Sequence, residues 1–152
     1  MECPHCHQSL TAVTNSRATK QNTQIWRRRR CLHCDVVFTT HEVIDLSHLK
    51  VSKKAGYTEM YSRIKLYSGI YGATIGLKIA NREKIVDKVT REVERNLLFL
   101  KQNKIASSLI ADYVLKILRK TNTAIFLRYL SYCKNITSET DMKKQLHKYA
   151  LN

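Results

Sequence analysis

The chain has 152 residues, is 43% hydrophobic and contains a single proline. That excludes wholesale disorder and leaves room for one ordinary domain, or a small module beside a compact one. Its 27 Lys and Arg against 12 Asp and Glu give a formal charge of +15, which favours phosphate-rich partners, either nucleic acid or an anionic membrane surface. No run reaches the roughly 18 apolar residues of a membrane span, and Met1-Glu2-Cys3-Pro4 lacks both regions of a secretory signal, so a cytoplasmic protein with reduced thiols is expected.

Residues 1–43 stand apart, with four of the five cysteines, the only Trp and the run Arg27-Arg28-Arg29-Arg30. Cys3-x2-Cys6 and Cys31-x2-Cys34, separated by 24 residues, have the spacing of two knuckles that present four thiolates to one tetrahedral zinc ion. A redox pair fits less well, because thioredoxin-like sites use one CxxC at a helix start. His7 and Asp35 follow the two pairs, where a knuckle commonly needs positive φ, and both residue types enter the left-handed region readily. His5, His7 and His33 are secondary candidates beside four sulfurs.

"VTNSR" and "QIWRRRR" read as strands joined by a polar turn, "ATKQNT", and "VVFTTHEV" as a third strand. So short a segment cannot bury a sufficient core, which makes the metal its main staple. On a strand, Arg27 and Arg29 point one way and Arg28 and Arg30 the other, and Arg17 on the neighbouring strand widens the basic surface. Arginine suits bidentate contacts to phosphate or guanine, so this surface is read as binding double-stranded DNA. Trp26 has two readings, stacking on a splayed base, which keeps single-stranded RNA open, or packing beneath the strand.

Residues 44–48 form a connector. Beyond it, Val51 and Tyr57 are expected on the strands of a hairpin that turns at Ala55-Gly56. Helical periods follow. The first helix, capped by Ser62, carries Ile64, Tyr67, Ile70 and Tyr71, and the second carries Ile85, Val89, Val93, Leu97 and Leu100. The third carries Ile105, Leu109, Val114 and Ile117, with Ser107 or Ser108 as a possible cap. "TAIFLRYLSYCK" makes a fourth helix, in which Cys133 reads as a small buried hydrophobe, and "SETDMKKQLHKYA" a fifth with a Ser138-x-x-Asp141 cap. Lys53, Lys54 and Lys65 lie close enough across the hairpin and first helix start to surround a phosphate chain. No catalytic motif is evident.

These motifs together resemble the bacterial NrdR family, regulators of ribonucleotide reductase genes. "CPHC", "NSR", "RRRRCLHC" and "FTTHE" stand close to that family's CPxC, DSR, RRRRxCxxC and FTTxE. "VSKKAGYTEMYSRIKL" follows the ATP-cone pattern VxKRxGxxExFxxxKL, and "IFLRYLSYCK" is similar to AYVRFASVYR. Asn15 replaces the usual acid, Trp26 takes the slot of the first arginine, Ala55 that of an Asp or Asn, and "GLKIA" that of a KRP segment. The resemblance implies an α+β protein that is not an enzyme: a zinc ribbon at 1–43, a linker at 44–48, a mainly helical ATP-cone with an N-terminal hairpin at 49–137, and a C-terminal helix and tail at 138–152. It implies one Zn²⁺ per chain, held by Cys3, Cys6, Cys31 and Cys34. It further implies ATP or dATP as allosteric ligands that change the state of a homo-oligomer and so its grip on operator repeats, with no membrane partner. In that scheme Val51 and Ser52 line the adenosine, Lys53, Lys54 and Lys65 meet phosphates, Glu59 reads the sugar or base side, and Tyr61 and Leu66 pack around them. Rival readings are a zinc-ribbon RNA-binding protein, a repressor whose cone only assembles, and a fragment of a reductase, for which the chain is too short.

Overall fold

The computed structural model describes residues 1–18, 24–134 and 136–150, in two units that divide between Asp45 and Leu46. In the first, β1 (Thr11–Ala18), β2 (Gln24–Cys31) and β3 (Val37–Val43) form an antiparallel sheet in that order. The expected turn "ATKQNT" spans 18–23: Ala18 ends β1, and 19–23 lie outside the described residues. The register sets Arg17 opposite Trp26 and Asn15 opposite Arg28, with a bulge between Val13 and Asn15. The extra residue, Thr14, donates its hydroxyl to the Arg28 carbonyl at 3.2 Å. Among the described residues of this unit only Cys3 and Cys31 are buried, so the sheet has no apolar core of its own.

The second unit is built round a conventional core. β4 (Lys50–Ser52) pairs antiparallel with β5 (Thr58–Met60), and the connection turns at Gly56, whose φ of 88° a side chain would strain. Helices α1 (Arg63–Gly72), α2 (Arg82–Phe99), α3 (Ser107–Thr121), α4 (Thr123–Lys134) and α5 (Glu139–Ala150) follow. Ser62 caps α1 by accepting from the Lys65 amide, and Ser138 accepts from the Asp141 amide at 3.1 Å to start α5. Val86, Val89, Val93 and Leu97 of α2 pack with Val114, Leu115 and Leu118 of α3 and with Ile125, Phe126 and Leu130 of α4. Thr90 is buried among them because its hydroxyl is satisfied by the Val86 carbonyl one turn back, at 2.8 Å.

Four expectations are corrected. Ile105 is not helical: it lies on β6 (Lys104–Ala106), which pairs in parallel with β4 and places Ile105 beside Val51. The sheet order is therefore β5-β4-β6, and a three-residue strand is too short to show the alternation that identifies one. Neither Ser107 nor Ser108 caps α3; both are helical, and Ala106 holds the cap position without a side-chain bond. Ile64 is 80% exposed, and Leu66 with Ile70 forms the buried side of α1 instead. Tyr57 lies one residue ahead of β5 and is exposed. No helix among the described residues is long and apolar enough to cross a membrane.

Candidate metal centre, basic face and phosphate cleft

The two CxxC turns have the same backbone design. The Cys3 and Cys31 amides donate five residues ahead, to the Gln8 and Val36 carbonyls, each at 2.9 Å. The His7 and Asp35 amides return to the Cys3 and Cys31 carbonyls at 3.0 and 3.2 Å, which demands the positive φ of 59° and 58° found at His7 and Asp35. Within each loop an amide points at sulfur, His5 to Cys3 Sγ at 3.5 Å and His33 to Cys31 Sγ at 3.4 Å. Such donors stabilise thiolate over thiol.

All four Sγ atoms lie within 4.8 Å of one another, and the Cys3–Cys34 and Cys6–Cys31 pairs are 3.7 and 3.6 Å apart. A tetrahedron with Zn–S near 2.3 Å has edges of about 3.8 Å, close to the Cys3–Cys34 and Cys6–Cys31 separations, so the quartet suits Zn²⁺. Its acid–base chemistry agrees. Backbone donors at Cys34 and His33 bring the Cys31 thiol down to about 6. At Cys34 the Val36 amide also favours the anion, but desolvation and the other sulfurs outweigh it and push the thiol up to about 12. Four thiolates this close need a cation to share. His5, His7 and His33 are exposed and stand outside the quartet.

The arginine run is divided by the pleat of β2. Arg27 and Arg29 lie on one face of the sheet with Thr40 and Glu42 of β3, where Arg27 grips Glu42 through two contacts of 2.9 Å and Arg29 donates Nε to Thr40 at 3.1 Å. Arg28 and Arg30 are exposed on the opposite face, which by register they share with Trp26 and Arg17. Arg30 meets Asp35 at 2.8 Å, an exposed pair that an incoming phosphate can break at little cost. Arg28 and Arg17 have no partner among the described residues. Trp26 is half-buried, opposite His41 of β3.

In the second unit a cleft of about 400 Å³ is lined by Val51, Lys53, Lys54, Glu59, Tyr61, Lys65 and Leu66, a size suited to a small organic ligand. Seven of the eight side chains singled out from the sequence thus share one cavity. Ser52 is not among its lining residues and donates its hydroxyl to the Ile105 carbonyl at 3.3 Å. Glu59 bridges Lys53 at 3.0 Å and Lys65 at 2.7 Å. Their proximity, Lys65 first, holds its carboxyl below the ordinary value, and Glu59 in turn raises the Lys65 ammonium. Tyr61 donates its hydroxyl to Glu94 at 3.0 Å, and burial foremost pushes that phenol up. Glu94 and Asp87 are both held by Arg63.

The opposite wall comes from a distant part of the chain. Ser107 and Ser108 bring the N-terminus of α3 to the cleft, so two helix starts converge there with no acidic residue in the first turn of either. Both ends favour an anion. The parallel β4–β6 pairing is what places Ser107 here, since the chain leaves β6 alongside Ser52. Tyr129, Tyr132, Cys133 and Lys134 of α4 complete the lining. Tyr132 is 79% exposed, and Lys134 is held by Asp112 at 2.7 Å.

Comparison with known proteins agrees with this division. The zinc-ribbon family model described as "Transcriptional repressor NrdR-like, N-terminal domain" matches residues 1–42, and the ATP cone domain model matches 49–137. The chain is 33% identical over 131 residues to the transcriptional repressor NrdR of Latilactobacillus sakei, covering 86% of this chain and 82% of that protein. It is 32% identical over 150 residues to that of Cupriavidus metallidurans, covering 99% and 96%. With that of Ligilactobacillus salivarius it shares 34% over 152 residues, covering 99% and 90%. The chain belongs to the NrdR family, transcriptional repressors rather than enzymes, built from a zinc ribbon and an ATP-cone.

Proposed function

We propose that the chain is a zinc-dependent repressor of ribonucleotide reductase genes that binds operator DNA through its ribbon and takes ATP or dATP in its cone. The nucleotide sets the oligomeric state, and the oligomer sets the spacing of paired ribbons on repeated half-sites. The protein works in the bacterial cytoplasm, on the nucleoid. In the ribbon, Cys3, Cys6, Cys31 and Cys34 hold one Zn²⁺, which fixes the end of β2. Arg17, Arg28 and Arg30 then meet phosphate or base edges, with Trp26 beside them, and Arg27 and Arg29 hold the sheet in shape.

The observation that carries the reading is the cleft where Lys53, Lys54 and Lys65 meet two helix N-termini. A triphosphate entering it draws Lys53 and Lys65 away from Glu59, which is then free to accept from a sugar hydroxyl or base N–H. Val51, Tyr61 and Leu66 supply apolar surface for the adenosine. ATP and dATP shift assembly only as far as their affinities differ between packings.

The test is size-exclusion chromatography with ATP, dATP or neither, followed by binding of a duplex from a reductase promoter on the same samples. Nucleotide-dependent elution volume and DNA affinity are expected. Calorimetry should show heat for wild type that Lys53→Ala abolishes. Absence of heat from wild type would reject sensing and leave a cone that serves assembly alone. That second reading is favoured by Glu59, which already pairs with both Lys53 and Lys65 and offsets one of their two charges.

A further inference from the structure

The charge of the chain does not lie where its arginine run does. Met1–Asp45 has six basic residues against four acidic, a net of +2, whereas Leu46–Asn152 has 21 against eight, a net of +13. Most acids of the second unit are already engaged. Glu59, Asp87, Glu94, Asp112 and Glu139 form ion pairs, and Asp141 accepts from Ser138 at the start of α5. The lysines left over therefore have little to neutralise them.

Several of them gather away from the phosphate cleft. Where α2 packs on α3, a groove of about 400 Å³ is lined by Lys88, Glu92 and Asn96 from one helix and Tyr113, Lys116 and Lys120 from the other. Arg119 adjoins it, in a smaller hollow shared with Lys116 and Lys120. Lys88, Lys116, Arg119 and Lys120 are exposed and form no ion pair among the described residues. Lys116 and Lys120, four apart on α3, are like charges on neighbouring turns, an arrangement a helix does not choose for its own stability.

We propose that this α2–α3 groove is a second nucleic-acid contact, a sequence-independent surface for successive phosphates of a DNA backbone. The chemistry chooses the partner. Lys88 and Asn96 are eight residues apart on α2, about 12 Å, too extended for one phosphate and suited to a chain of them. The apolar residues between the lysines are sunk, Ile117 at 7% exposure and Tyr113 half-buried, so nothing projects to anchor in lipid. The inference rests on the reading that the chain binds DNA, and extends it to a part of the molecule where no base is read.

The test uses the full zinc-loaded chain and two duplexes, one bearing the reductase promoter and one scrambled, with affinities by fluorescence anisotropy over a series of KCl concentrations. The triple variant Lys88→Gln/Lys116→Gln/Lys120→Gln keeps good helix formers on an exposed face, and an unchanged helical CD melt confirms its fold. Its slope of log K against log[KCl] should be shallower by roughly 2–3, at about 0.9 per phosphate lost, on both duplexes and with the ratio of their affinities unchanged. Lys116→Arg should keep the wild-type slope. A triple variant with the wild-type slope overturns the proposal, and so does one that loses binding to the promoter duplex alone. A loss of binding to phosphatidylserine vesicles with the DNA slope intact assigns the groove to membranes and also overturns it. Arg28→Gln is the separate arm: if it changes nothing while the triple variant lowers the slope, the ribbon reading fails and the groove stands. Wild type that binds neither duplex sinks both.

Discussion

Removing the metal should unfold the ribbon and leave the rest of the chain standing. Met1–Asp45 buries only Cys3 and Cys31 among its described residues, and Leu10, Leu32 and Val43 are each more than 60% exposed. None of its Val, Leu, Ile or Phe side chains thus collects the 1.5–3 kcal/mol that full burial contributes, on the order given by transfer data. A structural zinc contributes about 10–16 kcal/mol to folding, as much as or more than the roughly 5–15 kcal/mol net stability of a whole domain. The metal term therefore decides whether the ribbon folds. The body does not share this dependence, because the hydrophobic cluster from Leu46 to Tyr149 lies wholly within it. Trp26 is the only tryptophan and sits on β2, so its fluorescence reports the ribbon alone, while helical CD reports the body. Chelation of one zinc per chain, or Cys31→Ser, should move Trp26 emission to its unfolded value, abolish the preference for the promoter duplex over the scrambled one and leave the helical signal and its melt nearly unchanged. Native Trp26 emission in protein shown to be metal-free would refute the argument.

Other outcomes follow from single contacts. Arg28→Gln should make the salt slope of DNA binding shallower by about 0.9, whereas Arg27→Gln, which loses the Glu42 pair, should lower ribbon stability more than the slope; equal slopes for the two variants would contradict the division of faces. Trp26→Arg places a like charge opposite Arg17 at a cost of about 0.2–1 kcal/mol and should steepen that slope by about 0.9, measured by anisotropy. Tyr149→Phe keeps the ring, which packs edge-on to Phe126, but removes the hydroxyl that donates to Asp112 at 2.6 Å. With Asp112 only partly buried, the loss should be about 1–2 kcal/mol by urea unfolding. Burial pushes the Asp112 carboxyl up, but hydrogen bonds from Lys134 and Tyr149 outweigh it and hold it below the ordinary 3.8. The folded value being depressed, its stabilisation is present above 3.8 and is lost as pH falls through the folded value, where the difference between Tyr149→Phe and wild type should shrink.

What could be read in advance was local. The cysteine spacing, the positive φ after each pair, and the Ser62 and Ser138 caps depend on a few consecutive residues, and each appears in the structure. β6 escaped because its identity comes from a partner more than 50 residues earlier, Val51 beside Ile105, and three residues have no period. Ile64 misled because its spacing to Tyr67 and Tyr71 fits a helical stripe, yet the packing of α1 selects Leu66 and Ile70. The cleft was half legible for the same reason. Its lysines lie within one motif, whereas Ser107, Ser108 and Lys134 reach it only through the β4–β6 pairing and the placement of α4.

The division of charge changes what the arginine run is for. Four thiolates and one Zn²⁺ carry −2 together, which cancels the +2 of Met1–Asp45, so a loaded ribbon is close to neutral. It therefore cannot hold DNA by net attraction. Its strength is positional: Arg28 has no side-chain partner among the described residues, Arg30 is only weakly held by exposed Asp35, and the knuckle of Cys31 and Cys34 fixes the end of the strand that presents both. In the proposed scheme long-range attraction belongs instead to the body, which carries +13 and in which Lys88, Lys116, Arg119 and Lys120 form no ion pair among the described residues. Dispersed charge of that kind steers encounter and is screened by salt within about 8–10 Å, whereas a few preset arginines govern register and dissociation. The proposed scheme thus assigns attraction and discrimination to different units: were nucleotide to change how cones assemble, it would alter the spacing of the ribbons and leave the charge of the body as it was.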